Sequence, residues 1–138
     1  MRKRILIFDD DVAVLEVLQM VLDYEGFEAD IIEKTGGFLS LVRFYQPSLI
    51  LLDFSLKGLS GGDWCALLKK STEFKAIPVI LLTAYSNKGL EKGTYGCDDF
   101  IAKPFNVVDL ISRINLLTDS THELLSKKEH NEKGTKVY

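Results

Sequence analysis

Three aspartates in succession, Asp9, Asp10 and Asp11, follow the apolar run RILIF, and a fourth, Asp53, ends the run LILLD. Thr83 closes a third run, VILLT, and Lys103 follows a fourth, DFIA, directly before Pro104. Carboxylates gathered in one place repel one another and raise each other's pKa unless a cation relieves them. An all-oxygen donor set without histidine or thiolate suits a hard ion. An incomplete carboxylate set with room for waters and a phosphoryl oxygen suits Mg²⁺ better than a closed Ca²⁺ cage, with Mn²⁺ as a substitute. A carboxylate beside such an ion, a hydroxyl and a lysine describe a phosphoryl-transfer site: one oxygen nucleophile, and donors aimed at the phosphoryl charge. On this reading Asp53 is the phosphate acceptor, since a buried unpaired carboxylate is too costly to keep as structure alone.

Chemistry of this kind needs residues scattered along the chain to meet, so the intervening elements decide whether they can. RILIF, FEADII, SLILLD, IPVILLT and DDFIAK read as strands, the third the richest in apolar residues and hence near the sheet centre. Between them, Val14, Leu15, Leu18, Val21 and Leu22 recur at helical spacing up to Gly26, GGFLSLVRFYQP gives a helix ended by Pro47, and GDWCALLKKS a third. NKGLEKGTYG should form a fourth, short or frayed, because parallel strands need a crossover while Gly89 and Gly93 each cost about 1 kcal/mol relative to alanine. NVVDLISRINLLTD is the fifth, with Asn106 as N-cap, and Asp11 caps the first. Asp98 and Asp99 are expected to be turn residues. Five strands alternating with five helices predict an α/β doubly wound parallel sheet, whose ligands collect outside the carboxyl ends of the strands. Asp9, Asp10, Asp53, Thr83 and Lys103 all fall on that edge.

The remaining bounds are broad. At 138 residues with 46% apolar composition the chain has the material of one domain. A net charge of −3 and a pI near 5.4 provide no basic surface for nucleic-acid phosphates or anionic lipid, so direct nucleic-acid or membrane binding is not expected. The first apolar run is too short for a signal peptide, and a cytoplasmic location follows as the expectation. Cys65 and Cys97 lack the spacing of a redox pair and should be reduced and buried, and His122 and His130 lie in a charged stretch as solvated side chains. Residues 119–138 read as a charged C-terminal tail or helix extension.

Taken together, ILIFDDD, LILLDFSLKGLSG, VILLTA and GCDDFIAKPF resemble the receiver domains of two-component response regulators, over residues 3–118. The resemblance implies a flavodoxin-like, chemotaxis-regulator-like sheet in the order 2-1-3-4-5 with five helices. It also implies a phosphoryl group on Asp53, taken from a sensor histidine kinase or histidine phosphotransfer protein to switch a face that binds an unidentified downstream protein. Asp10 would bind Mg²⁺ directly, Asp9 directly or through water, and Ser55 through its backbone carbonyl. Thr83, the Ala84 N–H and Lys103 would contact phosphoryl oxygens, Pro104 would follow a cis bond, and Phe100 would be the aromatic switch that follows the threonine inward. Tyr85 falls where dephosphorylation is tuned, and its ring would impede the attacking water.

The chain departs from the family pattern in two places. Lys57 stands where proline is usual, and the segment between Thr83 and Lys103 is short, on a face by which many receivers dimerise or meet an output partner. A haloacid-dehalogenase-like phosphatase would need a second aspartate where Ser55 stands, and three aspartates in the first loop suit FMN poorly. A receiver-fold interaction module acting without phosphorylation is the alternative reading.

Overall fold

The computed structural model describes residues 2–33, 36–56, 59–84 and 94–119. Five strands, β1 (Arg4–Phe8), β2 (Glu28–Ile32), β3 (Leu49–Asp53), β4 (Val79–Thr83) and β5 (Asp99–Ala102), form one sheet. Their order is β2-β1-β3-β4-β5 and every pairing is parallel, as expected. Every residue of β3 and β4 is buried, which explains why they read as unbroken apolar runs: helices cover both faces.

Alternation along the strands divides the core in two. Leu6, Phe8, Ile50, Leu52 and Leu81 pack with Phe38 and Val42 of α2 (Phe38–Tyr45) and with Cys65 and Leu68 of α3 (Gly61–Lys70). Ile5, Ile7, Leu51, Ile80 and Leu82 meet Leu15, Leu18 and Leu22 of α1 (Val12–Tyr24) and Leu110 and Ile114 of α4 (Val107–Thr118). The caps are as expected: Asp11 Oδ1 accepts from the amides of Ala13 (3.1 Å) and Val14 (3.3 Å), and Asn106 Oδ1 from that of Asp109 (3.1 Å).

Register carries the site residues to one edge. Phe8 pairs with Leu52, so Asp9 and Asp53 come next on neighbouring strands. Thr83 pairs with Ala102, and the Lys103 amide donates to the Thr83 carbonyl at 2.7 Å.

Four helices lie among the described residues. Most of the expected fourth crossover helix, with Gly89 and Gly93, falls outside them, only its end Thr94–Gly96 being described, as a 3-10 turn; Tyr85, Lys57, His122, His130 and residues 120–138 also fall outside. Beyond Asp53, Ser55–Leu56 pairs antiparallel with Leu59–Ser60.

Asp98 lies in the bend before β5, as expected of a turn residue, whereas Asp99 corrects that expectation. The Asp98 Oδ2 accepts from the Val79 amide and from Lys69 Nζ, both at 2.8 Å, while Asp99 opens β5 and accepts from Arg113 at 2.9 Å. Both stand at the amino end of the last strand, where cations from α3 and α4 converge on them. Cys65 and Cys97 are free and buried as expected; burial above all, with Cys97 beside it, pushes the Cys65 thiol up to about 12, so it stays protonated and inert. No helix among the described residues is long and apolar enough to cross a membrane.

Candidate phosphoacceptor and metal site

The first strand delivers Asp9, fully buried, and Asp10, exposed, to the carboxyl edge of the sheet. The turn into α1 fixes the first of these, because the Asp11 amide donates to Asp9 Oδ1 at 2.9 Å. Lys103 Nζ donates to the other oxygen at 2.7 Å. Asp53 ends β3 with 7% of its surface exposed. Its Oδ1 accepts from the Ser55 amide at 3.3 Å, and its Oδ2 stands 3.6 Å from Lys103 Nζ.

One carboxylate oxygen from each of Asp9, Asp10 and Asp53 lies within 4.8 Å of the others. Beside them opens a cavity of about 280 Å³ lined by Asp10, Asp11, Asp53, Ser55, Ala84 and Lys103, with Phe54 at its wall. Thr83, fully buried, immediately precedes Ala84. Phe100 on β5 is buried in the core on the α3 side, its carbonyl accepting from Arg113 at 2.9 Å. The Lys103–Pro104 bond is cis.

Electrostatics identify what this cluster lacks. Burial, and then the charge of Asp9, push the Asp53 carboxyl up to about 6; Lys103 and the Ser55 amide pull it back, and Asp10 raises it further. Three carboxylates face one ammonium group, so negative charge is left over. The donors fit a hard divalent cation: they are all oxygen, their spacing allows shared ligation, and the adjoining cavity admits waters or a phosphoryl oxygen. Asp9, Asp10 and Asp53 are the residues that could hold it, and Ser55 lines the adjoining cavity.

Two contributors were not singled out from the sequence. A Cβ at Gly61 would overlap the Asp53 carbonyl oxygen, and the Gly61 amide donates to the Phe54 carbonyl at 2.7 Å, so α3 starts in direct contact with the end of β3. The signal was two glycines opening a helix, a place propensity disfavours. Phe54 lines the cavity while its amide donates to the Leu82 carbonyl at 2.7 Å, which fixes the chain just beyond Asp53.

A parallel doubly wound sheet with an acidic cluster and a lysine at its carboxyl edge defines a flavodoxin-like α/β domain. The chain belongs to the response regulator receiver domain family, whose model matches residues 5–115. It is 39% identical over 119 residues to the DNA-binding response regulator MtrA of Mycobacterium tuberculosis strain H37Rv, covering 83% of this chain and 50% of that one. To the phosphate regulon transcriptional regulatory protein PhoB of Escherichia coli K12 it is 35% identical, covering 83% and 51%. The chain thus spans about half the length of the curated relatives it matches. Among solved structures it is similar to a CheY-like receiver domain protein of Methanospirillum hungatei, with TM-score 0.78 and 29% identity over 89% of this chain and 98% of that one. A response regulator structure from Chloroflexus aurantiacus aligns with TM-score 0.78 and 27% identity, over 86% and 98%.

Proposed function

We propose that this receiver accepts a phosphoryl group on Asp53 from the phosphohistidine of a sensor histidine kinase or histidine phosphotransfer protein. Residues 3–118 form the receiver unit, working in the cytoplasm, and residues 119–138 are a charged extension. The observation that carries the reading is the meeting of Asp53 with Asp9, Asp10 and Lys103 beside an open cavity at the strand edge.

Bound by Asp9, Asp10, Asp53 and the Ser55 carbonyl, Mg²⁺ or Mn²⁺ would supply charge neutralisation for the carboxylates and for an incoming phosphoryl oxygen. An Asp53 oxygen attacks phosphorus; the new O–P bond replaces the N–P bond, and the imidazole leaves with the bonding pair. Lys103, the Thr83 hydroxyl and the Ala84 amide bind the remaining phosphoryl oxygens, which take up charge in the transition state. Thr83 moves toward the phosphoryl group and Phe100, already buried in this structure, repacks with it, shifting the population of a protein-binding face. The output is signalling through a downstream protein rather than turnover of a separate substrate. The expectation of no direct nucleic-acid binding is not supported, since relatives at 39% identity are named DNA-binding response regulators.

Beryllofluoride, which mimics a phosphoryl group on a carboxylate, tests the reading. Trp64, the only tryptophan, packs 6.3 Å from the ring of Phe8, the residue before Asp9, and reports on the site. A saturable fluorescence change that requires Mg²⁺ and is abolished in Asp53→Asn is the expected result. No response in a protein that still binds Mg²⁺ would overturn phosphorylation in favour of a phosphate-independent interaction module.

A further inference from the structure

Tyr95 sits in a left-handed backbone conformation (φ +59°, ψ +9°) that side chains with a Cβ rarely adopt. Gly96 follows at φ +78°, and together they reverse the chain into β5. Glycine or asparagine would make the same turn without strain, so the turn alone does not call for tyrosine. What the tyrosine adds is its ring. It lies so close over Gly62 that a Cβ there would approach three ring atoms to 2.8–2.9 Å, and its edge meets the Phe54 ring at 5.8 Å between centroids and 60° between planes.

Phe54 directly precedes the paired segments that follow Asp53, and Gly62 lies in the first turn of α3 just beyond them. Phe54 is held to the sheet through the Leu82 carbonyl and to α3 through the Gly61 amide, each at 2.7 Å, and it lines the site cavity. We propose that Tyr95 is a positioning residue: its ring clamps Phe54 and Gly62 on either side of this segment and thereby fixes Ser55, whose amide bonds Asp53 and which lines the site cavity. The inference rests on the reading of the site given above, and it assigns Tyr95 a role in metal affinity that its distance in sequence conceals.

Because the conformation is strained and the residue is 36% exposed, a merely structural Tyr95 makes a clear counter-expectation. Tyr95→Gly would then relieve the backbone and leave the site untouched. The clamp predicts instead that Tyr95→Gly folds with equal or higher thermal stability yet binds Mg²⁺ weaker by roughly threefold to tenfold, less than the loss of a ligand's direct hydrogen-bond partner causes. Hydrogen exchange at the Gly61 amide should quicken in the same variant. Tyr95→Phe should behave as wild type, and Gly62→Ala, which pushes the ring away while keeping it, should reproduce the Tyr95→Gly effect. Trp64 fluorescence with Mg²⁺ alone and amide exchange are the readouts, so no phosphodonor is involved. Wild-type Mg²⁺ affinity and Gly61 protection in Tyr95→Gly would overturn the inference, as would an equal loss in Tyr95→Phe. A wild-type protein that binds Mg²⁺ but takes no phosphate would overturn the phosphoacceptor reading and leave the clamp standing on these same results.

Discussion

Lys103 Nζ bonds Asp9 Oδ2 at 2.7 Å across 94 residues of chain, and the same ammonium group stands 3.6 Å from Asp53 Oδ2. One cation is thus shared unequally between two buried carboxylates. The one it bonds, Asp9, is a candidate metal ligand; the one it only faces, Asp53, is both a candidate ligand and the candidate acceptor. A divalent ion that takes over the charge of Asp9 would free Lys103 for a phosphoryl oxygen, so metal binding and phosphate binding are linked through this side chain.

Lys103→Ala should therefore leave Asp9 buried and short of a counter-charge. The expected cost is about 3 kcal/mol near pH 7.5 with EDTA present, in the range for breaking a buried ion pair. Saturating Mg²⁺ should recover part of it, because the ion replaces the missing charge. Urea denaturation with and without Mg²⁺ measures both; a cost well below about 1 kcal/mol would show that the pair is solvated.

The raised pKa of Asp53 sets a pH dependence of definite sign. Its ordinary value of 3.8 is pushed to about 6 in the fold. Near pH 4 and below, the group tends to its protonated form in both states and the folded protein bears little charge penalty. Between about pH 4 and pH 6 the unfolded chain ionises first, so stability from this group is lost as pH rises, up to about 3 kcal/mol. In EDTA, Asp53→Asn should be more stable than wild type at pH 7.5 and nearly equal to it near pH 4. Guanidinium titrations across that window provide the comparison, and a constant difference would refute the assigned shift.

Gly61→Ala should fail at the site and in stability together. The added methyl group meets backbone at the Asp53 carbonyl, not the yielding end of a side chain, so α3 must move off the strand. A loss of about 2 kcal/mol or more is expected, with weaker Mg²⁺ binding, as overpacking at a rigid contact gives. Thermal unfolding and Mg²⁺ titration would detect it; wild-type behaviour in both would mean that the helix start yields.

Asp11 acts at one remove. Asp11→Ala should cost about 1 kcal/mol through loss of the α1 cap, and Asp11→Ser should restore most of it, while the amide that holds Asp9 persists in both. Mg²⁺ affinity in Asp11→Ser should stay near wild type. A large drop there would place the Asp11 carboxylate itself among the ligands.

The edge of the sheet was legible because buried parallel strands print as unbroken apolar runs, so Asp53 and Thr83 mark their own strand ends and Asp9 and Lys103 follow theirs. Caps were legible for a local reason: Asp11 and Asn106 stand directly before periodic apolar segments. Gly61, Phe54 and Tyr95 were not, since each acts through a close approach in space that no periodicity records. Asp98 shows the same limit from the other side. It is chemically identical to the site aspartates, but it stands at the amino end of its strand, where Lys69 and the Val79 amide take up its charge.

The most direct measurement is to incubate the protein with Mg²⁺ and acetyl phosphate, digest it and map the labelled residue. The account predicts a single acyl phosphate on Asp53, labile to base and to hydroxylamine, absent with EDTA and absent in Asp53→Ala. Label elsewhere, or label that persists in Asp53→Ala, would contradict it.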